Sequence, residues 1–258
     1  MLLSRMASLD QKWIVRKMPA DIRKLCSDNP MRIAIAGGYI RSLVEGEAPN
    51  DIDIFSASTS IAENCAMDLA FDRGIIEDKT WAKMKSTPQV FISPNAITIR
   101  DRKPTVQFIR RWTYAAEEEP DRIDLYAVMA SFDFSIAQCI MAYREESPIG
   151  WNSLVHPDFY PALAAKRLEY TFPIRHEEAG GSMLRLLKFA KRGYYPTLKT
   201  ISGIMTRVYD GIDFEKVARA VEIDNMTRAE AIQCAVNGLL EEVDPSAVDD
   251  MNRPHYMD

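Results

Sequence analysis

The stretch Ile33–Ser56, IAIAGGYIRSLVEGEAPNDIDIFS, constrains this chain more than any other. It reads as an apolar strand, a tight Gly-Gly turn, a short helix, a loop and a second strand. Successive strand side chains point to opposite faces, so Asp51 and Asp53 share one face, about 7 Å apart, while Ile52 and Ile54 turn into a core. Two carboxylates so placed suit a hard divalent cation such as Mg²⁺. The Gly37-Gly38 turn presents bare backbone N–H groups at a helix start, where phosphate oxygens are favoured. An anion cradle and a carboxylate pair in one short stretch point to one ligand, a nucleoside triphosphate with Mg²⁺.

Alone, Gly-Gly is an ordinary turn and Asp-x-Asp an ordinary strand end. In this order, with Arg41 between them, they resemble the signature of the DNA polymerase β-type nucleotidyltransferase superfamily. GGYIRSLVEGEAPNDIDIF is most similar to the head of tRNA CCA-adding enzymes and bacterial poly(A) polymerases. That group reads Gly-Gly-x-Val-Arg-Asp-x-Leu and then Asp-Ile-Asp. The resemblance implies an α+β fold: a mixed-sheet, polymerase β-like head followed by a small helical domain. It implies that Asp51 and Asp53 are the catalytic and metal-binding pair for Mg²⁺ or Mn²⁺. It also implies that Gly37, Gly38 and Arg41 hold the triphosphate. Ser42 stands where the group carries an Asp. A third carboxylate is usual on a strand beside the Asp-x-Asp strand, and the corresponding position here is Gln107. A glutamine carbonyl can coordinate but carries no charge and cannot act as a base. Asp101 or Asp133 is the alternative source of that charge.

The full chain of 258 residues can bury a real core in one large domain or two small ones. Its 47% hydrophobic and 27% charged content is that of an ordinary soluble protein. A formal net charge of −5 excludes general polyanion binding, so any nucleic-acid contact needs a local basic patch. Cys26, Cys65, Cys139 and Cys234 are scattered without a Cys-x-x-Cys pair, and only three histidines accompany them. That pattern argues for reduced core thiols rather than a zinc site or disulfides. No run reaches the length of a membrane span, and MLLSRMASLDQK is too short an apolar start for a signal peptide. The expected location is the cytoplasm, where ATP and Mg²⁺ are available.

Along the chain, residues 7–27 read as one or two helices, with Ser8 or Asp10 as a cap and Pro19 opening the second. Ser58–Gly74 reads as an amphipathic helix with Ile61, Cys65 and Leu69 inward. Residues 89–111 read as a hairpin: QVFISPNAITI as one arm, kinked by Pro94, then a DRKP turn and TVQFIRRW returning. Pro120–Ala130 reads as a short helix behind the acidic run Glu117–Glu119. His156, beside Pro157, reads as a surface loop residue.

SFDFSIAQCIMAY, residues 131–143, resembles the Arg-Arg-Asp-Phe-Thr segment of the CCA-adding group, with Asp133, Phe134 and Ser135 at Asp-Phe-Thr. The resemblance implies a nucleotide-pocket role near the sugar for Asp133. Ser131 and Phe132 replace the arginine pair. Without the resemblance, Phe132, Phe134 and Ile136 read as a half-buried strand. Between Arg185 and Lys199 stand five basic residues and no acidic one. Arg185, Lys188 and Arg192 fall at i, i+3 and i+7, available for RNA or triphosphate, and the segment resembles the Arg-rich run after the CCA-adding head. Helices are expected near 197–209, 213–222 and 226–240.

The expected organisation is a head over 1–150, a helical domain over 151–245 and an acidic tail over 246–258. The reaction implied is transfer of NMP from an NTP to a hydroxyl with release of pyrophosphate, an RNA 3′ end being the acceptor. A protein or small-molecule acceptor and a non-catalytic NTP-binding module are the alternatives. With roughly 100 residues after the head, the plan resembles the compact nucleotidyltransferase-like proteins often encoded by bacteriophages. No membrane partner is expected, and no feature assigns an oligomeric state.

Overall fold

The apolar strand and the Asp-x-Asp strand pair antiparallel, with Ile35 opposite Ile54, in a computed structural model that describes residues 4–147, 149–173 and 179–241. Two units divide the chain, Met1–Leu163 and Ala164–Asp258. The first contains, in order, α1 (Ser8–Lys17), α2 (Ala20–Asp28), β1 (Ile33–Ala36), α3 (Gly38–Val44), β2 (Asp51–Ser56), α4 (Thr59–Asp72) and α5 (Trp81–Ser86). Then follow β3 (Val90–Ile92), β4 (Ala96–Ile99), β5 (Thr105–Ile109), α6 (Leu125–Ala130), β6 (Cys139–Tyr143), β7 (Trp151–Val155) and α7 (Phe159–Ala164). The strands form one seven-stranded mixed sheet in the order β3-β4-β5-β2-β1-β6-β7. Only β2 and β5 run parallel.

Burial sets the register of that parallel pair. Ile52 lies beside Val106 and Ile54 beside Phe108, and all four are at most 1% exposed. Each such side chain stabilises the fold by roughly 1.5–3 kcal/mol. A slip of one residue would expose them and bury Asp53 instead. The other sheet face therefore keeps Asp51, Asp53, Thr105 and Gln107 together. Helix α4 covers the apolar face, contacting β2, β4 and β5 and burying Ile61, Cys65 and Leu69. Ser58 caps it by accepting a hydrogen bond from the Ile61 amide at 3.3 Å.

One ion-pair network fixes the ends of these elements. Arg73, directly after α4, has a side chain 2% exposed and reaches Asp21 at 2.8 Å and Asp101 at 2.6 Å. It joins the start of α2 to the turn between β4 and β5.

Several expectations change. Ala7, not Ser8 or Asp10, occupies the N-cap of α1, and no side chain bonds there. The 89–111 segment is three strands: Pro94 lies in a turn joining β3 to β4 instead of kinking one arm. Proline lacks an N–H and suits a turn better than a strand centre. Residues 120–124 are not helical; Asp124 caps α6 by accepting from the amides of Tyr126 and Ala127. The segment after Phe132 makes a 3₁₀ turn at Ser135–Ala137 before β6 begins, so it is not one strand. β7 pairs with β6, Trp151 opposite Tyr143, so the sheet continues past residue 150 and the first unit runs to Leu163.

The second unit holds β8 (Arg167–Leu168), α8 (Ala179–Ala190), β9 (Tyr195–Pro196), α9 (Leu198–Asp210), α10 (Phe214–Ile223) and α11 (Arg228–Glu241). β8 and β9 pair in parallel. Buried Thr200 braces them: its hydroxyl donates to the Leu168 carbonyl at 2.7 Å and accepts from the Tyr170 amide at 3.0 Å. α8 packs on α11 so closely that a Cβ at Gly180 would run into the Leu239 carbonyl. The acidic tail expected at 246–258 lies outside the described residues. Among those residues, no helix is long and apolar enough to cross a membrane.

Candidate active site

The candidate site lies on the sheet face opposite α4. Asp51 and Asp53 are half-buried on β2, and Asp53 stands beside Gln107 on the parallel strand β5. Neighbouring strands are about 4.8 Å apart, so the Gln107 amide is next to the Asp53 carboxylate in the sheet. The register continues through Thr98 on β4, paired with Gln107, and Phe91 on β3, paired with Thr98. Asp101 is committed elsewhere, to Arg73 at 2.6 Å and Arg102 at 2.8 Å. Burial raises its proton affinity, but the Arg102 hydrogen bond and the Arg73 charge outweigh it and hold the carboxyl below its ordinary range. Among the described residues, no cluster of three or more His, Cys, Asp or Glu side chains assembles. On β5 the residue level with Asp53 is thus the neutral Gln107, and Asp101 is engaged by two arginines instead.

On the other flank of β2, β1 ends at Gly37. The backbone there has φ 73° and ψ −126°, which only glycine adopts at low cost. Space gives a second reason: a Cβ would sit 2.7 Å from the Phe132 ring. Phe132 also meets Phe55 edge-on, with centroids 5.6 Å apart. This aromatic contact draws the 131–134 segment onto the Gly-Gly turn. Its role was invisible in the sequence, where Phe132 reads as one apolar residue in an alternating run. Asp133, next to it, is 3% exposed and not free of partners.

Gly37 also anchors to β6. Its amide donates to the Cys139 carbonyl at 2.9 Å, and the Cys139 thiol donates to the Gly37 carbonyl, 3.4 Å away. Burial pushes that thiol up to about 12, so it stays a neutral donor. Arg41, one turn into α3, is 3% exposed. Its Nε lies 3.5 Å from Glu45, its Nη2 3.9 Å from Glu47, and Nη2 donates to Ser42 Oγ at 3.1 Å. The guanidinium that the resemblance assigns to triphosphate is thus held by acids of its own helix end and the following loop. Ser42, in place of the expected Asp, is one of its partners.

Arg185 and Lys188 lie on α8 and Arg192 in the turn after it, all in the second unit. His156 accepts from the Asp158 amide at 3.0 Å, and burial lowers its proton affinity. It serves its own loop.

The donor set fits one hard cation: two carboxylates on one strand and an amide oxygen beside them. It does not match two ions bridged by three carboxylates.

A mixed sheet with a Gly-Gly turn on one flank of an Asp-x-Asp strand is the polymerase β-like nucleotidyltransferase fold. The Thermotoga maritima CCA-adding enzyme complexed with tRNA is similar over 82% of this chain and 47% of that one, with 14% identity and a TM-score of 0.50. An apo tRNA-processing enzyme is similar at 20% identity, 76% and 49% coverage and a TM-score of 0.51. A CCA-adding enzyme complexed with ATP is similar at 13% identity, 94% and 51% coverage and a TM-score of 0.50. At such identities the likeness is one of fold, and the chain spans about half the length of these structures. No curated protein matches it in sequence. Residues 8–166 match the model of the Gabija anti-defense 2 (Gad2) family, and the chain belongs to that family.

Proposed function

We propose that this protein is a metal-dependent nucleotidyltransferase that moves NMP from an NTP to a hydroxyl, that of an RNA 3′ end, releasing pyrophosphate. The observation that carries the reading is the shared face of Asp51 and Asp53, flanked by the Gly37 turn on one side and Gln107 on the other. Asp51 and Asp53 would hold Mg²⁺ or Mn²⁺, which when bound supplies charge neutralisation for the phosphates. Gly38 offers its backbone N–H to the triphosphate, while Gly37, whose own amide is bonded to the Cys139 carbonyl, shapes the turn that presents it. Arg41 adds its charge there only by sharing it with Glu45 and Glu47. Gln107 orients the acceptor through its amide but takes no proton. The carboxylates of Asp51 and Asp53 are the acceptors left for the proton of the attacking hydroxyl. Asp133 would line the sugar side of the pocket, and Arg185, Lys188 and Arg192 would contact RNA.

The family description concerns defeat of Gabija defence. We read nucleotidyl transfer as the means by which this chain contributes to it. A second reading, nucleotide capture without turnover, is favoured by one observation: an uncharged Gln107 beside Asp53.

The test supplies each α-labelled NTP with Mg²⁺ or Mn²⁺, total RNA and cell lysate. Label should enter RNA and be lost in Asp53→Asn, together with anti-Gabija protection in cells. Label in protein or a small molecule refutes the RNA acceptor. Tight NTP binding without label supports capture.

A further inference from the structure

We propose that the exposed Phe91–Arg100 corner of β3 and β4 is a second binding site, a platform on which a base of a single-stranded polynucleotide acceptor stacks. The stack is the Phe91–Arg100 pair, and Arg100 also meets a backbone phosphate. The inference rests on the transferase reading of Asp51 and Asp53.

The sheet register carries it. Asp53, Gln107, Thr98 and Phe91 lie in one row across β2, β5, β4 and β3. At about 4.8 Å per strand, Phe91 is about 14 Å from the β2 carboxylates. Arg100, two residues beyond Thr98, shares its face, and its guanidinium carbon sits 4.4 Å from the Phe91 ring centroid. A few nucleotides of extended strand bridge that span. Between platform and carboxylates stand Thr98, Thr105 and Gln107, all neutral hydrogen-bonding side chains on one face. None carries a negative charge; Thr105 and Gln107 are half-buried and can meet a sugar hydroxyl or base edge, whereas Thr98 is buried beneath the path.

Charge and exposure mark the pair as unusual. Phe91 is 49% exposed, on an edge strand. Nearby arginines are neutralised: Arg73 and Arg102 by Asp21 and Asp101, and Arg110 by Glu63. Arg100 is exposed and has no carboxylate partner among the described residues. Lys103, on the turn entering β5, is likewise exposed and has no acidic partner there. A stacked guanidinium over an aromatic ring, with local positive charge in an acidic chain, matches base and phosphate together.

Side also matters. The Gly37 turn adjoins β2 from the β1 flank, so on the transferase reading the triphosphate would lie there. In-line displacement brings the attacking hydroxyl from the opposite side of the reacting phosphorus. That side is the β5–β4–β3 flank, where the platform lies.

The experiment measures anisotropy of labelled single-stranded RNA and DNA oligonucleotides with the full chain, across a salt series, without NTP. Arg100→Gln should weaken binding and reduce the salt slope by about 0.7, one phosphate contact on a single strand. Phe91→Leu should weaken it by about fivefold or more at unchanged slope, the loss of one stacked base. Thermal melts confirm folding, and should Phe91→Leu not fold, the surface change Arg100→Gln decides alone. Unchanged affinity in the folded variants overturns the platform, whichever sugar is bound. So does a wild-type chain that binds no oligonucleotide while labelling protein, which leaves the transferase reading standing. Binding that depends on Phe91 and Arg100 in a chain that turns over no NTP supports the platform and removes the transferase reading.

Discussion

Replacing Gln107 with glutamate tests the reading of the site without assuming an acceptor. Strand register puts this side chain beside Asp53, and the interstrand spacing sets the new carboxylate about 5 Å from it. At that distance two unit charges repel by about 3 kcal/mol at an effective dielectric of 20 and by about 1 kcal/mol in bulk water. Both positions are half-buried, so Gln107→Glu should destabilise the metal-free protein by about 1–3 kcal/mol at pH 7. For a unit of this size, 1 kcal/mol lowers Tm by roughly 2–4 °C, giving a drop of about 2–12 °C in EDTA. Crowding by Asp53 raises the new carboxyl's proton affinity in the folded state. The deficit is therefore present above the ordinary glutamate value and closes as pH falls below about 4. Mg²⁺ inverts the sign: three carboxylates bind a divalent ion better than two, so the variant should gain more Tm per millimolar Mg²⁺ than wild type. Differential scanning fluorimetry in EDTA and across a Mg²⁺ titration reads both effects. Equal Tm in EDTA with equal Mg²⁺ response would show that residue 107 does not face the Asp pair, and the assignment of the site would fall.

Two further perturbations address the scaffold. Arg73→Met leaves Asp21 and Asp101 with Arg102 alone, 4.0 Å and 2.8 Å away, and should cost about 1–3 kcal/mol in urea unfolding. Because Asp101 is held below its ordinary range when folded, wild type should lose that stability as pH falls below about 4, and the variant should show a flatter acid limb. Gly37→Ala should cost about 2–4 kcal/mol, from a strained φ of 73° and the Phe132 ring, whereas Gly38→Ala, with open space at its Cβ, should be neutral or stabilise by up to about 1 kcal/mol. Equal losses at the two glycines in thermal melts would refute the geometry of the turn.

What the sequence made legible follows from its periodicity. The Ile33–Ser56 stretch names its own structure: alternating Ile and Asp set one apolar face and one carboxylate face, and paired glycines force the turn between. The α4 stripe is equally explicit, with Ile61, Cys65 and Leu69 at helical spacing. Segments governed by long-range pairing were less legible. QVFISPNAITI carries strand-forming residues on both sides of Pro94, and whether Pro94 bends one strand or separates two depends on β4 finding β5. Trp151–Val155 lies among turn formers and joins the sheet because β6 offers it an edge. Contacts such as Phe132 on Gly37, or Arg41 with Glu45 and Glu47, depend on loop paths that no local pattern specifies.

The departures from the CCA-adding pattern concentrate around this site, and their charges run in one direction. Gln107 and Ser42 stand where that pattern carries carboxylates, and Ser131 and Phe132 where it carries two arginines. Two negative and two positive charges are thus absent together. The cation that remains, Arg41, is balanced locally by Glu45 and Glu47. On β2 itself stand the carboxylates Asp51 and Asp53, together enough to neutralise one divalent ion. On the proposed reading such a site would bind Mg-NTP with one ion and leave the acceptor's proton to Asp51 or Asp53, Gln107 supplying position alone. On that reading it would turn over more slowly than a three-carboxylate enzyme. Because the differences from that pattern remove charges of both signs, they leave the net charge of the site nearly unchanged and alter its capacity to bridge two ions, which is the condition the proposed one-ion reading needs.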